Sequence, residues 1–148
     1  MAEKDIYQAD VYRLAVIGHS NGGHGAWWIA SHFPDRIMAC LPASGYMKVQ
    51  MYIPYYMHIG YSYIDPVIRG LLEGSISEND IDLYASNLVG VPVLARSGQL
   101  DKTIPPLHSR RLVRIVKEWS RDINSIEYIR DNIDIRRMLG KDTGMTAC

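Results

Sequence analysis

The apolar run Leu14-Ala15-Val16-Ile17 leads straight into Gly18-His19-Ser20-Asn21-Gly22, and Gly23-His24-Gly25-Ala26 follow at once. No other stretch constrains the backbone so tightly. A short apolar run reads as a strand, clustered glycines as a sharp turn, and the small residues after them as a helix that can lie close to a sheet. In that setting a G-x-S-x-G pentapeptide lifts a serine hydroxyl above the strand end, where it can serve as a nucleophile. Gly18 and Gly22 are expected where strand and helix pass so closely that a Cβ would clash. Ser20 is expected to be accessible, with a strained backbone at positive φ.

The remaining segments alternate as α/β units do. Residues 12–17 read as a strand buried on both faces, because the apolar run is continuous. A helix over 22–33 stops at Phe33-Pro34, since the residue before a proline resists the helical region. A second strand covers 37–41 and ends at Pro42, and a third covers 91–95 with Pro92 near its start. Asp65-Pro66 opens a short helix to Leu72 that Gly74 ends. Ser77 and Asp80 form a capping-box variant that starts another helix through Tyr84. From Ser109 to Trp119 a helix places Leu112, Ile115, Val116 and Trp119 on one stripe, leaving Arg110, Arg111, Arg114 and Lys117 as a solvated face. The fold class is α/β, a mostly parallel sheet with crossover helices and a short helical cap segment.

This order of strand, turn and helix is the context that the nucleophile elbow of an α/β-hydrolase requires. Such folds routinely run to roughly 200–250 residues, whereas this chain has 148, of which 47% are hydrophobic. A partial α/β-hydrolase fold is therefore expected. Sixteen basic and sixteen acidic residues cancel, so the net charge gives no reason to expect nucleic acid or an anionic membrane as partner. Cys40 reads as a small core residue, and with Cys148 it makes no metal or disulfide pattern. Neither the histidine spacing nor a glycine-rich phosphate loop indicates a metal or cofactor, and none is expected. No apolar stretch reaches membrane-spanning length, and the charged start Met1-Ala2-Glu3-Lys4-Asp5 is not a signal-peptide pattern, which leaves the compartment open.

A second chemical candidate, Asp101, lies in Gly98-Gln99-Leu100-Asp101-Lys102-Thr103-Ile104-Pro105-Pro106, on the loop after the third strand and before a helix that the prolines start well. A triad acid follows the serine in these hydrolases, and this loop is where it belongs. The same aspartate could instead be a turn or capping residue. Positions 46–63 hold six of the ten tyrosines. Tyr46, Tyr52, Tyr55 and Tyr56 are candidates to line a substrate pocket in a cap over 46–90.

The elbow, Val91-Pro92-Val93-Leu94, and above all Asp101 followed by Ile104-Pro105-Pro106-Leu107-His108-Ser109-Arg110-Arg111 resemble the catalytic domain of prolyl oligopeptidase-type serine peptidases, over about residues 10–121. The resemblance implies Ser20 as nucleophile, the Asn21 backbone N–H as an oxyanion donor and Asp101 as the triad acid. It also implies a histidine on a loop after one further strand, for which Ile123 to Ile129 is the candidate. Yet no histidine follows His108, so residues 122–148 read as a divergent tail. Among the five histidines, His19, His24, His32, His58 and His108, none is identified as the catalytic base. The resemblance implies hydrolysis of peptide bonds through an acyl-enzyme. A carboxylesterase or lipase-like activity, and an inactive fragment without its histidine, stay open beside it. Missing strands would leave a sheet edge exposed, through which the chain is expected to self-associate.

Overall fold

A computed structural model of the chain describes residues 10, 12–52, 64–120 and 125–131. Four strands form one parallel sheet in the order β1 (Leu14–His19), β2 (Ile37–Ala43), β3 (Val93–Gly98) and β4 (Ile126–Asp131). Helix α1 (Asn21–His32) crosses from β1 to β2, and α4 (Leu107–Trp119) crosses from β3 to β4. Between β2 and β3 come α2 (Val49–Tyr52), α3 (Pro66–Ile76) and two 3-10 segments, Ser77–Asn79 and Ile81–Leu88. Helices α1 and α4 and the Ile81–Leu88 segment pack against one another or the sheet. Their core holds Trp27, Cys40, Met47, Ile81, Leu88, Leu112 and Val116, all essentially inaccessible. Cys40 turns its Sγ toward the Ala26 carbonyl, and burial pushes its thiol up to about 12. No helix among the described residues is long and apolar enough to cross a membrane.

Several boundaries differ from the sequence reading, each for an identifiable reason. The first strand runs 14–19, so it carries the chain right up to Ser20. It is not buried on both faces: Ile17 is 75% exposed, because the described helices cover only the sheet face on which Val16 and Cys40 lie. β2 continues through Pro42 to Ala43. The N–H groups of Cys40 and Ser44 donate to the carbonyls of Pro92, just before β3, and Arg96, on β3. Pro42, midway between them, has no N–H for the bond its position would make. The third strand begins at Val93, just past Pro92.

In α3, Asp65 caps the first turn by accepting from the N–H groups of Val67 and Ile68, as the sequence suggests, yet the helix passes Gly74 and reaches Ile76. Ser77 forms no capping box. Its Oγ donates back to the Gly74 carbonyl, and the chain continues as 3-10 turns rather than a second helix. In α4 the buried stripe is His108, Ser109, Leu112, Val113 and Val116. Trp119 is 65% exposed, since the helix ends there and its last residue projects past the core.

Candidate active site

Ser20 stands between the last residue of β1 and the first of α1, with φ 59° and ψ −119°. An L-residue held there stores strain of about 1–3 kcal/mol, so neighbouring contacts must enforce the conformation. Ser20 N–H donates 3.0 Å to the Ala43 carbonyl, and the Ser20 carbonyl accepts from His24 N–H at 3.0 Å. Its side chain makes no capping hydrogen bond to the helix. Among the described residues the hydroxyl has no hydrogen-bond partner, while both backbone ends are tied. Asn21 is the first residue of α1, where an amide N–H has no intrahelical acceptor.

The glycine pattern needs one correction. A Cβ on Gly18 would lie 1.9 Å from the Gly22 carbonyl oxygen, so position 18 admits glycine alone. A Cβ on Gly22 would meet nothing within 4 Å, because that residue offers its carbonyl to Gly18 while its own Cβ direction points away. The second sterically required glycine is Gly23, whose Cβ would fall 2.5 Å from the Ala43 carbonyl oxygen and 2.9 Å from Gly45. Gly45 is equally confined by Gly23. Next to Gly45, Ser44 adopts φ 46° with its Oγ buried and, among the described residues, without a hydrogen-bond partner. A second strained turn therefore braces the first. The Ser44-Gly45 pair at the end of an apolar strand was the sequence signal for it.

Asp101 follows β3 by three residues. Its Oδ1 accepts from Thr103 N–H at 2.9 Å and Ile104 N–H at 3.0 Å, while Oδ2 has no hydrogen-bond or ion-pair partner among the described residues. The turn-forming role considered from the sequence is real, and it occupies one oxygen only. Since β1, β2 and β3 are parallel, Ser20 and Asp101 both lie at the carboxyl edge of the sheet, with β2 between them. Two strand spacings separate their strands, about 10 Å.

Tyr46 and Tyr52 are half-buried beside the elbow. The Tyr46 ring stacks on His24 at 4.2 Å and on Tyr52 at 4.8 Å. Burial, then the neighbouring Tyr52, raises the Tyr46 phenol above its ordinary value. Lys48 lies 3.2 Å from Asp80 and 3.0 Å from Asp82, tying this loop to the start of the Ile81–Leu88 segment. Burial works against the Lys48 charge, but hydrogen bonds to the two carboxylates raise its pKa overall. Tyr55, Tyr56 and His58 lie outside the described residues. A concavity of about 240 Å³ opens elsewhere, beside Ala39, Leu41, Leu94 and Glu127, and contains none of the candidate residues.

The described histidines are mostly occupied. His24 Nδ1 lies 2.9 Å from the Tyr46 carbonyl, which can only accept, so Nδ1 carries the proton. Burial lowers its pKa against the opposing pull of that carbonyl and Asp80. His32 stacks on Trp28 with its Nδ1 2.9 Å from the Trp28 carbonyl. His108 is 3% exposed and accepts from Met47 N–H through Nδ1, and burial lowers its pKa. His19 is exposed at the end of β1. Among the described residues no group of histidine, cysteine or carboxylate side chains could hold a metal ion.

Residues 1–132 match the model of the prolyl oligopeptidase family. The chain belongs to that family. The match ends one residue after β4. A protein of Arthroderma benhamiae described as an uncharacterized secreted protein is 32% identical over 103 residues, 70% of this chain but 11% of that protein. An acylaminoacyl peptidase of Pyrococcus horikoshii superposes over 88% of the chain and 21% of its own length, with a TM-score of 0.65 and 20% identity. A thermostable esterase superposes over 92% of the chain and 27% of its own, with a TM-score of 0.54 and 21% identity. The fold is thus that of an α/β-hydrolase, represented in part, and the chain spans only a fraction of the length of the proteins it matches.

Proposed function

We propose that this family member carries the nucleophile, one oxyanion donor and the acid of a serine hydrolase acting on peptide bonds. Ser20 Oγ attacks the substrate carbonyl and the acyl group passes to the serine oxygen, with release of the amine. The Asn21 N–H stabilises the tetrahedral oxyanion, and Oδ2 of Asp101 orients an imidazole in the gap above β2. Tyr46 and Tyr52 wall the substrate side, with Tyr55 and Tyr56 following them in the cap. The observation that carries this reading is the elbow: Ser20 at φ 59°, enforced by the contact of Gly18 with Gly22. Ester cleavage is the second reading, and the likeness to an esterase at a TM-score of 0.54 supports it.

His24, His32 and His108 are engaged in packing, so a base must come from elsewhere. A triad without one member keeps only about 10³–10⁴-fold acceleration over water. The purified chain is therefore expected to resist a fluorophosphonate probe, and added imidazole, which supplies the base in solution, is expected to restore labelling that Ser20→Ala abolishes. No labelling under either condition would overturn the hydrolase reading. Labelling without imidazole would assign the base to one of the chain's own histidines, with His58 the first to replace. Under the rescuing condition, proline-containing peptide amides tested against p-nitrophenyl esters separate peptidase from esterase.

A further inference from the structure

The peptide group between Tyr46 and Met47 is held at both ends by histidines. Its carbonyl oxygen accepts from His24 Nδ1–H at 2.9 Å, and its N–H donates to His108 Nδ1 at 3.3 Å. A carbonyl can only accept and an N–H can only donate, so the two rings are opposite tautomers. His24 carries its proton on Nδ1, whereas His108, when neutral, carries it on Nε2. His24 stands one turn into α1 from Ser20, and His108 lies at the start of α4, the helix that follows the Asp101 loop. One peptide thus joins the helix behind the serine to the helix behind the carboxylate. The rest of its loop is pinned. Gly45 presses on Gly23, the Met47 carbonyl accepts from Ile81 N–H at 3.2 Å, the Met47 side chain is fully buried, and Lys48 is paired with Asp80 and Asp82.

The direction of this peptide governs where Tyr46 points. The Tyr46 ring lies within 12° of parallel to His24 and within 8° of parallel to Tyr52, so the three rings form one stack that ends in Tyr52. We propose that His24 and His108 are positioning residues: by fixing the peptide between Tyr46 and Met47 from both sides, they set the face that Tyr46 and Tyr52 turn to the substrate. This rests on the reading of those two tyrosines as the substrate wall. Both histidines act through Tyr46 rather than on the reacting atoms. Turned half a rotation, the peptide would aim its carbonyl at a bare ring nitrogen and its N–H at another N–H, two repulsive contacts. The wall therefore has one stable setting while each ring keeps its tautomer. A wall present alike before and during reaction contributes to substrate affinity and leaves the chemical step unchanged.

The test is calorimetric titration of the full 148-residue chain carrying Ser20→Ala with a proline-containing peptide amide, so that no turnover is needed. In that parent, His108→Leu removes the acceptor and should weaken binding about tenfold, one decade in the equilibrium constant. His108→Asn, whose amide oxygen stands where Nδ1 does, should restore affinity to within about twofold. His24→Phe keeps a ring for the stack but cannot donate, and should weaken binding to a similar degree. Because the two histidines hold one peptide, joining His24→Phe to His108→Leu should cost little more than either alone, whereas unrelated packing defects would add. Far-UV circular dichroism checks folding. Should His108→Leu fail to fold, His24→Phe and the tautomers decide: ring-nitrogen NMR of the wild type should find the proton on Nδ1 of His24 and on Nε2 of His108. The same tautomer at both, unchanged affinity in folded variants, His108→Asn as weak as His108→Leu, additive losses, or a parent that binds no peptide would each overturn the inference. Failure of the hydrolase reading shows separately, as a chain that binds peptide in this way yet takes no label with imidazole present.

Discussion

The elbow and the aspartate loop deliver their side chains to the same sheet edge by opposite means. At the elbow, backbone presses on backbone: Gly18 against the Gly22 carbonyl, Gly23 against the Ala43 carbonyl and Gly45. The Ser20 side chain takes no part in holding that shape. In the aspartate loop the side chain is itself the brace, since Oδ1 of Asp101 gathers the N–H groups of Thr103 and Ile104. A nucleophile must be free to move onto its substrate, whereas an orienting carboxylate gains from being fixed. Replacing the working residue should therefore be harmless to stability in one region and costly in the other.

The largest effects belong to the elbow's glycines. Gly18→Ala is expected to cost more than about 4 kcal/mol, because backbone must move, and Gly23→Ala should be nearly as severe. Gly22→Ala should be neutral or stabilise by up to about 1 kcal/mol, the helix preference of alanine over glycine. Urea unfolding of the three variants checks the order, and equal losses would break the steric account. Next comes Asp101→Ala, expected to cost about 2–3 kcal/mol through two lost hydrogen bonds to a charged acceptor. Asp101→Asn keeps an acceptor for the loop and should cost less than about 1 kcal/mol.

The pH dependence sharpens the comparison, because each region has an imidazole nearby, half-buried in His24 and buried in His108. Both His24 and His108 have folded pKa values below the ordinary histidine value. The unfolded chain therefore binds more protons once pH falls below about 6.5, and stability is lost from there downward. Protonation of His24 occurs at Nε2 and leaves its bond to Tyr46 in place. Protonation of His108 removes the acceptor that Met47 N–H uses. Melting temperature measured from about pH 7.5 to about pH 5 should fall, and His108→Gln, which keeps an acceptor without a titrating group, should flatten the fall more than His24→Gln. At the elbow serine the effects are small: Ser20→Gly is expected to stabilise by about 1 kcal/mol as strain is relieved. Ser20→Ala keeps the strain and should change little.

The elbow was legible because its constraint is local: strand, turn and helix follow one another within a dozen residues, and Gly18 has no alternative. Which glycine completes the constraint was not, since Gly23 is confined by Ala43 and Gly45, contacts that exist only once β2 lies beside β1. The Ser20 backbone strain was read from the turn alone, and the structure has it. Burial of β1 and of Trp119 was misjudged for a common reason, that periodicity shows which side is apolar but not whether anything covers it. The extension of β2 through Pro42 escaped a local rule because its flanking residues hold the ladder without it. For Asp101, sequence gave two readings, turn residue or acid, and separate oxygens of one carboxylate leave space for both.

The gap at Pro42 has a mechanical consequence. β1 and β2 share a register of six residue pairs, as do β3 and β4, whereas β2 and β3 share only Cys40 with Val93 and Ala43 with Arg96. The sheet is thus two halves stitched by a short seam, each half carrying its own crossover helix, and Ser20 belongs to one while Asp101 belongs to the other. Partial opening by the least costly route parts the halves rather than fraying either. Amide protons of Cys40 and Ser44, which cross the seam, should exchange with deuterium sooner than those linking β3 to β4. Each such opening widens the space between serine and carboxylate, so the spacing of the two proposed catalytic groups is governed by a proline that touches neither.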